Sequence, residues 1–223
     1  MLLALDTATD VVTVAVCDTT GVLAHRSGTG PRRHAEVLAP LVAQALADAG
    51  VRGSDLEAVW VGVGPGAYTG LRVGVATAQV LAAVWDVAVH GACSLDALAV
   101  QAVHEQPARC ADGVLVVTDA RRRQVFWARY SGAGVRLDGP AVDAPADVPH
   151  RTMPSVGSGA LAHPELFPAA LPPATPDAAW LARGALAGTI SALVVQPLYL
   201  RRPDVTTGSR PKTVLQPAGP SHL

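Results

Sequence analysis

The chain repeats its own opening. Shifted by 113 residues without a gap, Asp6 falls on Asp119, Val12 on Val125, Ala15 on Ala128, Gly21 on Gly134 and Val22 on Val135. The identities are few, but the order of elements around them is shared, and that order is hard to obtain by chance. In the first copy the apolar run Leu2 to Leu5 ends on Asp6. A polar turn to Asp10 follows, then the β-branched run Val11 to Cys17, the turn Asp18-Thr19-Thr20-Gly21 and a third strand over Val22 to His25. In the second copy Val114 to Thr118 leads to Asp119, a basic turn Arg121-Arg122-Arg123, the strand Val125 to Tyr130, a glycine turn and Val135 to Leu137. A duplicated three-stranded meander confines the chain to two lobes that begin alike. The expected units are residues 1–110 and 111–203, followed by a tail over 204–223 whose prolines and scarcity of large apolar residues predict disorder.

Between the meanders the pattern changes from period two to period three and four. Leu38, Leu41, Val42, Ala45, Leu46 and Ala49 form a helical stripe over His34 to Ala49, closed by Gly50, with Pro40 either kinking it or marking its first turn. Ala58 to Val63 reads as a strand that runs into Gly64-Pro65-Gly66-Ala67-Tyr68-Thr69-Gly70, and Leu71 to Trp85 as the helix beyond it. Ala88 to Gly91 predicts a short strand, and Ser94 the N-cap of a helix reaching Glu105. Later, Asp177 to Thr189 predicts a helix entered from Pro176, and Pro197 to Arg201 an edge strand or extended segment.

Composition removes several chemistries. Of 17 basic residues only Lys212 is lysine, which excludes a Walker A loop and a pyridoxal Schiff base in the core. With 50% hydrophobic residues, 16% charged and a net charge of −1, the chain suits a folded core and does not grip nucleic acid by overall charge. No membrane span and no secretory leader are expected, so the protein is placed in the cytoplasm, with Cys17, Cys93 and Cys110 as reduced thiols. There is no His-x-x-x-His, no His-Glu-x-x-His and no Cys-x-x-Cys, and Ser155-Val156-Gly157-Ser158-Gly159 lacks nucleophile-elbow spacing. Neither a metal nor another cofactor is expected. The short runs Arg121 to Arg123 and Arg201-Arg202 read as solvated basic turns before they read as contacts to RNA phosphates.

Two constellations remain. Asp6, Thr7, Thr9 and Asp119, at the tips of the repeated hairpins, have the residue types of a nucleotide cleft between lobes; the simpler alternative is that both aspartates close turns through side-chain to backbone hydrogen bonds. Gly70, Gly74, Ala78 and Ala82 recur every four residues and form a small-residue stripe for close helix packing; an anion at the helix start, assisted by Arg72, is the sharper and weaker alternative.

Leu3-Ala4-Leu5-Asp6-Thr7-Ala8-Thr9, Gly64 to Gly74, Asp119-Ala120-Arg121-Arg122, Val156-Gly157-Ser158-Gly159-Ala160 and Pro197-Leu198-Tyr199-Leu200-Arg201-Arg202-Pro203-Asp204-Val205 together resemble the TsaB (YeaZ) family. Ala67-Tyr68 stands where that family more often has Ser-Phe. The resemblance implies an α/β, two-lobed fold of the actin, sugar kinase and heat-shock chaperone type (ASKHA, ribonuclease H-like) with a reduced second lobe. It further implies a non-catalytic subunit in the making of threonylcarbamoyladenosine on tRNA, which binds and activates the transferase TsaD, with the ATPase TsaE joining and tRNA reached only through the complex. An autonomous small-molecule kinase or ATPase of the same fold is the alternative. The implied contact surface, for TsaD or for a homodimer, lies on the first-lobe helices. The expected interface residues are Leu38, Leu41, Val42 and Ala45 on one helix and Gly70, Arg72, Gly74 and Ala78 on the next. On this expectation Gly74→Arg breaks the association and leaves the monomer folded.

Overall fold

Alternation along the first strand decides the layers. In β1 (Leu2–Asp6) Leu3 and Leu5 enter one cluster of apolar side chains, while Leu2 and Ala4 enter another on the opposite face, and Asp6 shares that second face. The computed structural model describes residues 1–29 and 34–201. The expected disorder of 204–223, and the end of the late motif from Arg202 onward, lie outside the described residues.

β1 pairs antiparallel with β2 (Val11–Asp18), which pairs antiparallel with β3 (Gly21–Thr29). On its other side β1 runs parallel to β4 (Ala58–Gly64), and β4 parallel to β5 (Ala88–Cys93), giving the order β3-β2-β1-β4-β5. The second sheet repeats it. From β6 (Val114–Asp119), β7 (Val125–Tyr130), β8 (Arg136–Asp143), β9 (Ser155–Val156) and β10 (Ala170–Leu171) it builds the order β8-β7-β6-β9-β10. Its last two strands have 2 residues each, which makes the second lobe the reduced one.

The hydrogen-bond register corrects the gapless repeat. Asp6 lies opposite Thr13, and the shift of 113 carries Thr13 to Phe126, but the partner of Phe126 is Thr118. The second hairpin is one residue longer, so Thr118, buried like Asp6, is its structural counterpart, and Asp119 is displaced to the other face. One residue of slip inverts the facing of a strand.

Helices α1 (His34–Ala49) and α2 (Tyr68–Trp85) cover the Leu3 and Leu5 face of the first sheet. α1 continues through Pro40, which is exposed. Between the sheets lie α3 (Ser94–Glu105) and α5 (Ala178–Leu186). Leu95, Leu98, Ala99 and Ala102 of α3 pack on Val114, Val116, Ala128 and Tyr130 of the second sheet, whereas Ala178, Leu181 and Ala182 of α5 pack on Leu2, Ala4, Ala15 and Cys17 of the first. Each half therefore lends a helix to the other, and the expected division near residue 110 separates the sheets without separating the helices. A short α4 (Ser158–Ala162) backs the outer face of the second sheet, where Ala160 meets Leu115 and Val117.

Two local expectations are corrected. Ser94 is the first residue of α3 and Cys93 its N-cap, because the Ser94 hydroxyl is turned inward to accept from the Gly64 amide at 3.3 Å. Of the two readings of Pro197 to Arg201 the edge strand is excluded, since among the described residues its sheet-like contact is the bond from the Leu198 amide to the Val63 carbonyl at 2.7 Å. Among the described residues no helix is long and apolar enough to cross a membrane.

Candidate functional site

A cleft of about 620 Å³ opens between the lobes. The turn Ala8 to Val11 and the loop Gly66 to Tyr68 form its first-lobe wall, Asp119 to Arg122, Phe126 and Ser158 its second-lobe wall, and Leu198 to Arg201 cross its edge. Of the four residues expected at a nucleotide cleft, Thr9 and Asp119 line it. Asp6 and Thr7 do not, because both are enclosed in the first lobe.

Asp6 Oδ1 accepts from the Ala8 amide at 2.8 Å, two residues on, and Asp119 Oδ1 accepts from the Arg121 amide at 2.8 Å in the same way. Both aspartates thus close turns, as in the simpler alternative. Burial pushes the Asp6 carboxyl up to about 6, against the opposing pull of the Ser94 hydroxyl and the Ala8 amide, and the Asp177 charge adds to the rise. Among the described residues Oδ2 is buried without a hydrogen-bond partner, above Gly62, where a Cβ would lie 1.9 Å from it. The strand needs glycine there because the carboxyl fills the space.

Thr7 explains the small-residue stripe of α2. Its hydroxyl donates to the Gly70 carbonyl at 2.8 Å, a Cβ on Gly70 would stand 2.3 Å from the Thr7 carbonyl oxygen, and one on Gly74 would stand 2.2 Å from Thr7 Oγ1. The close approach is between α2 and the first turn of its own lobe. His34 Nε2 donates to the Thr9 carbonyl at 2.8 Å and fastens the start of α1 to the same turn; a carbonyl only accepts, so that nitrogen bears the proton.

The expected interface residues are corrected accordingly. Leu38, Leu41, Val42, Ala45 and Ala78 are core of the first lobe, and Gly70 and Gly74 are buried beneath Thr7. Arg72 alone of that set is exposed. It stacks over the Tyr68 ring at 4.5 Å and donates from Nε to the Tyr199 hydroxyl at 3.1 Å, while the two tyrosine rings stack at 4.8 Å. Tyr68, Ser158, Tyr199 and Arg201 are cleft residues that the amino-acid sequence placed in motifs but did not assign to a cleft, because nothing in line joins the glycine segment, the Ser158 turn and the late Leu-Tyr-Leu-Arg run. Among the described residues no group of three or more His, Cys, Asp or Glu side chains is placed to hold a metal ion.

Two sheets of one order, helices exchanged between them and a cleft at the paired hairpins define a two-lobed α/β protein of the actin, sugar kinase and heat-shock chaperone type. The family model described as TsaD, tRNA N6-adenosine threonylcarbamoyltransferase, matches residues 21–204. The structure superposes on YeaZ from Pseudomonas aeruginosa with a TM-score of 0.75 and 30% identity, over 89% of this chain and 99% of that one. The tRNA threonylcarbamoyladenosine biosynthesis protein TsaB of Escherichia coli is 36% identical over 129 residues, 58% of this chain and 54% of that protein. An uncharacterized protein of Mycobacterium leprae is 44% identical over 209 residues, 92% of this chain and 55% of its own length, so the chain spans little more than half of either of these two relatives. The chain belongs to the TsaB (YeaZ) family.

Proposed function

We propose that this protein is the non-catalytic partner subunit in the formation of threonylcarbamoyladenosine on tRNA, docking and activating the transferase TsaD, with TsaE as a further member of the complex. The observation that supports this is an apolar face left uncovered on α1 and α2. Val80 and Val84 are 61% and 73% exposed, and Ala76 and Ala83 are exposed beside them. On α1 the outward residues include Ala35, Ala39, Pro40, Ala43 and Ala47. Small and apolar side chains exposed on two adjacent helices allow a second helix pair to approach closely, and apolar residues exposed together in this way on a folded chain point to an interaction site. The same face would serve a homodimer.

The enclosure of Asp6 also fits a partner role, since a carboxyl held by Ala8 and Gly62 is not presented to a ligand in the cleft. The cleft volume is the observation that favours the alternative, a small-molecule kinase or ATPase. Nucleoside mass spectrometry of bulk tRNA from cells depleted of this protein, with TsaD still present, tests the main reading. Loss of threonylcarbamoyladenosine is expected. Undiminished modification, together with ATP binding to the isolated chain, would transfer the assignment to the kinase or ATPase.

A further inference from the structure

The two exchanged helices, α3 and α5, border a second groove of about 540 Å³ that shares no lining residue with the interlobe cleft. Its apolar wall comes from Val100 and Val103 of α3, Ala133 in the turn between β7 and β8, and Ala187 just past α5. Three polar side chains also line it: His104 of α3, Arg183 of α5 and Thr189 beyond. Among the described residues none of these three side chains makes a hydrogen bond or an ion pair to the protein. Trp180 joins them. Its ring meets that of His104 at 4.9 Å with 51° between the planes, and the Arg183 guanidinium lies over it at 4.7 Å. Stacking on the indole holds the guanidinium in place and leaves its N–H fork free for an anion. Among the described residues no acid lines the groove, and Glu105, beside His104 in sequence, is held by Gln101 Nε2 at 3.0 Å. Asp18, which acts with Arg183 on the Cys17 thiol, already accepts from the Thr20 amide and hydroxyl and from the Gly21 amide.

We propose that this groove binds a small aromatic carboxylate. The carboxylate lies on Arg183, with the His104 ring and the Thr189 hydroxyl as further donors, and the aryl group packs between Trp180 and the valines of α3. A guanidinium with a free fork matches a carboxylate in geometry as well as in charge. Two rings set at an angle offer a face and an edge to a third ring, a fit that a flexible acyl chain does not make and would lose entropy to approach. Apolar walls with a few convergent polar groups are the composition of small-molecule sites, whose volumes run from about 300 to 1,000 Å³. A ligand here touches α3, α5 and the β7–β8 turn at once, so it fastens the exchanged helices to each other. The site is independent of the docking face on α1 and α2.

Calorimetric titration of the full chain with indole-3-butyrate as the probe tests the assignment. A Kd of about 1 mM or tighter is expected for a probe of this size. At tenfold excess over that Kd the melting temperature should rise by about 3–5 °C. The neutral amide of the same acid is expected to bind at least tenfold more weakly, and Arg183→Gln to lose the same factor toward the acid while leaving the amide unchanged. Ala133→Trp, at an exposed position, fills the groove and should abolish binding of the acid. Circular dichroism checks that both variants fold, and Ala133→Trp with the amide comparison decides the matter if Arg183→Gln does not. Equal affinity for acid and amide, full affinity in either folded variant, or a Kd above about 10 mM for the parent overturns the proposal. Decanoate bound as tightly as indole-3-butyrate overturns the aromatic class.

Discussion

Asp6 and Gly74 show how single positions in this fold are dictated by one neighbour. Burial raises the Asp6 carboxyl from 3.8 to about 6, so the folded chain binds this proton more tightly than the unfolded chain does. Its contribution is neutral below about pH 4 and becomes a penalty that grows as pH rises to about 6, reaching on the order of 3 kcal/mol above that. Asp6→Asn keeps an oxygen for the Ala8 amide and removes the charge. Its stability relative to the parent should therefore rise between pH 4 and 6 and then level off; urea unfolding at pH 4 and 7 measures this, and an identical difference at both values would refute it. Gly74→Ala places a Cβ against Thr7 Oγ1 and breaks the Thr7 bond to Gly70. Overpacking costs about 1–3 kcal/mol, and the better helix propensity of alanine returns about 1. A net loss of up to about 2 kcal/mol is expected in thermal or urea unfolding, with partial recovery when Thr7→Ala is added. Gly74→Arg is accordingly expected to damage the lobe itself.

At the scale of elements, α2 carries two rows of small residues with four-residue spacing. Gly70, Gly74, Ala78 and Ala82 face inward, and Ala76, Val80 and Val84 face outward. α1 has the same ambiguity, with Leu38, Val42 and Ala45 inside and Ala35, Ala39, Ala43 and Ala47 outside. Periodicity alone locates such helices correctly but does not say which row meets the core, and the expected interface fell on the inner rows for this reason. The outer row is the one to test. Val80→Glu/Val84→Glu should leave unfolding within about 0.5 kcal/mol of the parent, as exposed substitutions do, and weaken binding to TsaD at least tenfold. Calorimetric titration with purified TsaD decides it; full affinity in the double variant removes this face as the docking surface.

Across the whole molecule the lobes are joined by buried polar contacts as well as by exchanged helices. Tyr130 of β7 donates to Asp96 Oδ1 of α3 at 2.7 Å, and Arg136 Nε of β8 stands 3.5 Å from the same oxygen. Burial pushes the Asp96 carboxyl up, and Arg136 and Tyr130 oppose it. Tyr130→Phe withdraws one partner from a buried acid and should cost about 1–3 kcal/mol while unfolding remains a single transition, read by circular dichroism and fluorescence together. Two transitions would mean that the lobes are held less tightly than the exchange of α3 and α5 implies.

The order of elements from β1 to β8, the duplicated meander, the glycine-rich strand-to-helix junction and the family were legible in the amino-acid sequence, because each depends on neighbours within a few positions or on motifs read in line, whereas β9, α4 and β10 are too short to carry a periodicity and were not. Turn closure by Asp6 and Asp119 was legible for the same reason. The equivalence of Asp6 with Thr118 was not, since a hairpin longer by one residue leaves no mark on a gapless comparison and yet turns a strand over. Nor was the meeting of Arg201 with Ala120, or the filling of the α2 glycines by Thr7, because these join segments that only the folded chain brings together. The sequence by itself determined the longer elements and their order; which face of each is buried, and which charges share a cleft, was decided by tertiary packing, where one side of every amphipathic element must be chosen against all the others at once.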